Sequence, residues 1–364
     1  MSSSSPKFSL DLFQHVVSHN PHGNLFMSPS SIFVVMTMIQ TGARNETRNQ
    51  MISTLQFQSN DQQSILADAE QLFKVLNTGS DHVTLRSANR LYPNSDKSIL
   101  EDYIKAVVKH FASDVKYVDF TSNPEGSRQE INKWVEEVTN EKIKNLLPNG
   151  SIDASTKMVV ANAIYFKGNW ATQFEPKSTT QTDFHTFDGK SLKIEMMKRE
   201  MEKVRYGENT LLDCKVLHLP YIGDEMAMVV LLPNTVTGLL EWRKFPFRNS
   251  SLSSFKLRDT LSALGMPDVF NAIKADLSGM GTNLLVSQVF HKAFVDVNEE
   301  GTEATAATAA TIISCRASMP APPRTFTADH PFMFMIWHYQ LKAPLFVGRF
   351  TGLETKAAQT RDEL

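Results

Sequence analysis

Cys315 and Arg316 are the residues of this 364-residue chain most suggestive of chemistry, because of what precedes them. From Thr302 to Thr311 every side chain is Ala or Thr except Glu303. Ile312, Ile313 and Ser314 follow, then Cys315, Arg316 and Ala317, and the sequence breaks at Pro320, Pro322 and Pro323. A cysteine becomes a nucleophile only where something lowers its pKa, and no basic activator adjoins Cys315, so an inert side chain is the better reading. The common catalytic signatures are missing: no G-x-G-x-x-G, no Walker loop, no G-x-S-x-G and no H-E-x-x-H. The ten histidines are scattered, and no metal-ligand spacing is read among them. Two cysteines give neither a disulfide framework nor a metal site. An enzyme, a metal and a cofactor are therefore not expected.

A run of small residues is ordinarily a linker. Here its flanks argue otherwise. Val286–Val297 is apolar and β-rich, broken by His291-Lys292, and Pro331–Trp337 is nearly continuous apolar sequence. Too little chain follows to make a second domain. One unit over residues 1–356, with a tail from 357 to 364, is the expected organisation.

The surrounding elements must position that run. Phe8, Leu12, Phe13 and Val16 recur at helical spacing. Ser28 to Ser31 reads as a helix N-cap with a proline in the first turn, and the helix it opens, Ile32–Thr41, is apolar almost all round. Further helices are predicted over Glu46–Phe57, Ser64–Val75, Leu100–Phe111, Glu125–Leu146 and Leu257–Leu264. Strands are predicted over Val83–Tyr92, Val115–Phe120 and Met158–Phe166, with alternating segments between Thr182 and Met201. Val216–Tyr221 and Met226–Leu232 form a hairpin around Gly223-Asp224. Helices come early and strands late, without a βαβ repeat, which predicts α+β with mostly antiparallel sheets.

Composition narrows the function classes. Net charge is -2, with 41% hydrophobic and 21% charged residues. No basic footprint for nucleic acid exists, no basic helix for a sulfated polysaccharide stands out, and no apolar run spans a bilayer. The first residues lack the pattern of a cleavable leader, whereas the last four, Arg361-Asp362-Glu363-Leu364, resemble a retention address. The tail and three sequons, at Asn45, Asn149 and Asn249, point to a secreted glycoprotein; the leaderless start points to the cytoplasm.

Ten short motifs in order make the chain resemble a serpin over nearly its whole length. They are Asn24–Ser31 (NLFMSPSS), Asn162–Trp170 (NAIYFKGNW) with Phe174, Leu219–Tyr221, Leu231–Pro233, Leu264–Met266 and Ala275–Gly279 (ADLSG). His291–Ala293, Val297–Ala304 (VNEEGTEA), Ala328–Phe334 (ADHPFMF) and Pro344–Arg349 (PLFVGR) complete them. The resemblance implies eight or nine helices around three mostly antiparallel sheets, with an exposed reactive-centre loop over about 299–323. It implies a monomeric suicide inhibitor. A serine protease attacks the loop, forms an acyl-enzyme, and is distorted when the cut loop inserts into the central sheet.

Glu299, Glu300, Gly301, Thr302, Glu303, Ala304, Thr305 and Ala306 would then form the loop hinge. Strand side chains alternate, so Thr302, Ala304, Ala306, Thr308, Ala310, Ile312 and Ser314 would share the inserted inner face. That set holds no charge or proline, and nothing bulky before Ile312, while Glu303 falls on the other face. Ladder hydrogen bonds are worth about 0.5–1.5 kcal/mol each. About a dozen of them would release on the order of 10 kcal/mol, comparable to a domain's stability. Such a hinge favours an inhibitor over a non-inhibitory binding or chaperone protein of the secretory pathway.

Counted from Gly301, the scissile bond would be Cys315–Arg316. One residue of slack makes it Arg316–Ala317, which suits a trypsin-like protease with an acidic specificity pocket. Arg316 is the only basic residue between Gly301 and Arg324, and the second choice is preferred. Cys315 would suit an elastase- or chymotrypsin-like enzyme. The resemblance also assigns Ser28, Ser31, Asn162 and His291 to a polar cluster that controls sheet opening, and Trp170 to the place where the loop enters. One departure stands out: Thr235–Ser262 is short by roughly one helix and one strand.

Overall fold

In the computed structural model, residues 6–20, 22–201, 204–242, 255–299 and 324–352 are described. Their elements run α1 (Pro6–His19), β1 (Leu25–Met27), α2 (Pro29–Gly42), α3 (Asn45–Leu55), α4 (Gln62–Val75), β2 (Gly79–Ser80), β3 (Val83–Pro93), α5 (Glu101–Phe111), α6 (Pro124–Val138) and β4 (Met158–Gly168). There follow β5 (Thr180–His185), β6 (Ser191–Met196), β7 (Arg205–Asn209), β8 (Cys214–Pro220), β9 (Met226–Pro233), α7 (Gly238–Glu241), β10 (Phe255–Lys256), α8 (Leu257–Leu264), β11 (Gln288–Asp296), β12 (Phe332–His338) and β13 (Ala343–Phe350). The class is α+β, as expected, with eight helices and three sheets among the described residues.

A six-stranded sheet has the order β1-β13-β12-β9-β8-β7, a five-stranded sheet the order β10-β11-β4-β3-β2, and β5 and β6 pair alone. Among the described strands one neighbouring pair is parallel, β4 with β11, from Gln288↔Val159 to Asp296↔Lys167. Parallel ladders are slightly weaker per residue than antiparallel ones, so this seam is weaker per residue than the antiparallel β3–β4 ladder beside it.

The five-stranded sheet is covered on both faces. Met158, Val160, Ile164 and Phe166 join the cluster that includes Val34, Val35 and Met38 of α2, while Val159, Ala161 and Ala163 pack with Ile131 and Val135 of α6. A strand buried on two faces must be largely apolar on both, which explains the apolar run of β4 from Met158 to Phe166, interrupted only by Asn162. No described helix is long and apolar enough to cross a membrane.

Two expectations fail locally. Val115–Phe120 is not a strand; it makes isolated bridges, Leu91↔Val115 and Asn94↔Val118. The helix predicted over Glu125–Leu146 stops at Val138. Beyond it Asn140 and Glu141 take φ of 52° and 60°, which breaks the helix. The chain doubles back because Asn132 Nδ2 donates to Leu147 O (3.0 Å) and Leu147 N donates to Asn132 Oδ1 (2.8 Å). Arg128 Nη1 donates to the same carbonyl at 2.8 Å.

Candidate functional site: a parallel seam and its entrance

The site begins with two cap residues. Ser28 is the N-cap of α2: its Oγ accepts from Ser31 N at 3.1 Å, and Pro29 stands in the first turn. The same Oγ donates to Leu345 O at 2.7 Å, fixing the helix start to β13. This places Ser28 N and Ser31 Oγ beneath the centre of the five-stranded sheet.

Above them lies a polar row across three strands. Asn89 of β3 pairs with Asn162 of β4, and Asn162 pairs with His291 of β11. Asn162 Nδ2 donates to Ser31 Oγ (2.6 Å) and to Asn89 Oδ1. His291 Nε2 accepts from Ser28 N at 3.0 Å. A backbone N–H can only donate, so Nε2 carries the lone pair and Nδ1 the proton. Nδ1 therefore donates to Asn162 Oδ1, at 2.5 Å. His291 is 2% exposed and Asn162 0%. Burial lowers the His291 pKa to about 3, so the ring is neutral at physiological pH. Ser28, Ser31, Asn162 and His291 thus form one buried network that spans the parallel seam.

Trp170 lies apart from that network, beyond the C-terminal ends of both seam strands. Its ring stacks on Tyr221 (4.6 Å, 11°) and meets Phe174 edge-on (6.1 Å, 76°). Trp170 Nε1 donates to Asn298 O at 2.8 Å, just past the end of β11. The next residue, Glu299, is held twice: Phe174 N donates to its carbonyl (2.8 Å), and Thr179 Oγ1 donates to its carboxylate (2.6 Å). The Thr179 bond is the main reason that its carboxyl pKa is lowered. Among the described residues, three buried polar atoms in this part of the chain find no hydrogen-bond partner: Asn169 Oδ1, Asn298 Oδ1 and Arg199 Nε. The Arg199 guanidinium lies 4.6 Å over the Phe174 ring.

On the face opposite α2, the segment after α6 crosses the seam as a strap. Arg86 of β3 donates to Asn140 Oδ1 (3.0 Å), and Lys292 Nζ of β11 donates to Lys144 O (2.8 Å). Lys142 lies 3.8 Å from Asp296. Sequence reasoning missed this strap, because it read the segment as helix.

The remaining predicted site residues, Glu300, Gly301, Thr302, Glu303, Ala304, Thr305, Ala306, Cys315, Arg316 and Ala317, lie outside the described residues, as does the tail. Cys214 is a buried free thiol whose pKa burial raises. Of the sequons, Asn149 is exposed, Asn249 is outside the described residues, and Asn45 Nδ2 donates to Asp276 Oδ2 at 2.7 Å.

Fold and site together define a protein built around one parallel seam that a buried polar network bridges, with the chain leaving β11 at one end of it. The chain belongs to the serpin family. The profile of that family, described as serpin (serine protease inhibitor), matches residues 3–246 and 243–352. The two matches meet inside the segment that the sequence reads as short. The leukocyte elastase inhibitor of Homo sapiens is 39% identical over 381 residues, covering 97% of this chain and 99% of the relative. Uncleaved ovalbumin superposes with TM-score 0.84 at 27% identity, over 97% of this chain and 99% of the other. Serpin48 of the insect Tenebrio molitor, described as highly specific, gives 0.83 at 28%, over 96% and 97%.

Proposed function

We propose that this protein inhibits serine proteases as a conformational trap, with the scissile bond at Arg316–Ala317. The observation that carries the reading is the geometry at Glu299. The chain leaves β11 beside the end of β4, and a segment running back from there would be antiparallel to both strands. Insertion would replace one parallel ladder by two antiparallel ones. Asn169 Oδ1, Asn298 Oδ1 and Arg199 Nε would give an incoming strand hydrogen-bond partners at the entrance.

In the chemical step the protease serine Oγ attacks the Arg316 carbonyl carbon. The bond to Ala317 N breaks, the serine proton passes to the leaving amine, and an ester joins Arg316 to the enzyme. Insertion then carries the enzyme away before water can hydrolyse that ester.

A second reading places the bond at Cys315–Arg316 and makes the target elastase-like. It is favoured by the count from Gly301 and by relatives that carry the name leukocyte elastase inhibitor.

One experiment separates the readings. The protein is incubated with trypsin and, separately, with elastase. SDS-stable complexes are sought, and the released C-terminal fragment is weighed. A trypsin complex with a fragment beginning at Ala317 supports the first reading. An elastase complex with a fragment beginning at Arg316 supports the second. Cleavage without a complex, and without a rise in melting temperature, overturns both in favour of a non-inhibitory binding protein.

A further inference from the structure

We propose that His15 and His19 of α1 form a surface site for a borderline transition-metal ion, of the copper(II) or zinc(II) type. The two residues are four apart, the spacing that puts successive turns of a helix on one face, and the sequence reading of scattered histidines passed over this pair. Their rings face each other, with centroids 4.1 Å apart and planes at 33°. Two nitrogen ligands on one tetrahedral zinc ion sit roughly 3.3 Å apart, close to the 4.1 Å between the ring centroids. Paired histidines at this helical spacing supply two of the zinc ligands in H-E-x-x-H proteins, whereas here Val16 stands in the place of the glutamate.

The His19 tautomer is already set for ligation. His19 Nδ1 lies 2.6 Å from His15 O, and a carbonyl only accepts, so Nδ1 carries the proton. The lone pair is left on Nε2. A ligating histidine commonly gives its other N–H to a backbone carbonyl in this way, which fixes the ring and raises its basicity. Ser18 Oγ donates to the same carbonyl at 2.7 Å and lies 3.0 Å from His19 Nδ1. Both rings are only half-buried, so an ion can reach them. The end of the helix is tethered as well: the Arg349 guanidinium donates to Asn20 O and to Gly23 O.

Two protein ligands leave the remaining positions to water. Asp11, one turn earlier, accepts from Gln56 Nε2 at 3.2 Å. Among the described residues no group of three or more His, Cys, Asp or Glu could hold an ion together. The site is therefore labile, and its preference follows ligand chemistry: imidazole nitrogen favours copper(II) over nickel(II) and zinc(II).

The test titrates copper(II) alone into the full chain carrying Cys315→Ser, which removes the loop thiol. Calorimetry follows binding, and thermal melts with copper or with EDTA follow stability. The expected result is one tightest site, weakened at least about tenfold by His15→Ala or by His19→Gln. It is unaffected by His82→Ala, and copper raises the melting temperature only where both histidines are present. Should His15→Ala melt early without metal, His19→Gln decides alone. Equal copper affinity in His19→Gln and the parent, or an equal loss in His82→Ala, overturns the proposal.

Discussion

His291 Nδ1 donates to Asn162 Oδ1 at 2.5 Å across the parallel pair β4–β11, which joins residues 129 apart in sequence. Only a neutral imidazole can make this bond and also accept from Ser28 N at Nε2. Opening the seam at its middle means breaking this bond.

The first prediction is a pH dependence of stability. The His291 pKa is about 3 in the fold, against about 6.5 in an unfolded chain. A depressed folded pKa favours the fold above the unfolded value. The contribution is therefore complete above about pH 6.5 and is lost as pH falls toward 3, with a slope of up to about 1.4 kcal/mol per pH unit. Urea midpoints measured from pH 7.5 to pH 4 check this. His291→Gln is expected to be less stable at pH 7.5 but to lose stability less steeply; an unchanged slope counts against the assignment.

Asn162→Ala is expected to cost about 3 kcal/mol. It removes the partners of Asn89 Oδ1 and His291 Nδ1 in a buried site and leaves Ser31 Oγ with Ser87 Oγ alone, and each unsatisfied group costs about 1–3 kcal/mol. Chemical denaturation gives the magnitude. Native gels after mild heating should show earlier conversion to inactive or oligomeric forms, since the same bonds hold the seam closed.

The strap offers a separate handle on rate. Asp296 holds it through an ion pair with Lys142 and Lys292 through an exposed bond to the Lys144 carbonyl, and a surface ion pair is worth about 0–1 kcal/mol. Lys292→Ala with Asp296→Ala should therefore change stability by no more than about 1 kcal/mol. If insertion must lift the strap, fewer inhibitor molecules are consumed per protease trapped. Titration of residual protease activity measures that number; an unchanged value removes the strap from the mechanism.

Alternation along the hinge predicts a contrast between neighbours. Thr302→Arg places a charge on the inner face of an inserted strand, where an unpaired charge is costly to bury. Glu303→Arg places it on the outer face. The first should convert the inhibitor into a substrate that is cleaved without an SDS-stable complex, and the second should retain the complex. Loss of the complex in both would mean that the strand register is wrong.

The sequence alone determined the α+β class, the Ser28 cap and the apolar strand over Met158–Phe166. These are properties of neighbouring residues: spacing, capping chemistry and a nearly continuous apolar run. The small, uncharged alternate positions from Thr302 to Ser314 are legible for the same reason. The polar cluster was legible only through the order of its motifs, since Ser28, Asn162 and His291 are far apart in the chain. Only the tertiary structure decided that β4 and β11 run parallel, because strand direction depends on the path of the intervening chain. It also decided the tautomer of His291, which follows from the backbone N–H that happens to face it. The stop of α6 at Val138 was likewise tertiary, since Asn132 and Arg128 capture Leu147 in a way no local propensity encodes. Local sequence set which segments could be strands of the seam; packing set which strands meet there and what holds them closed.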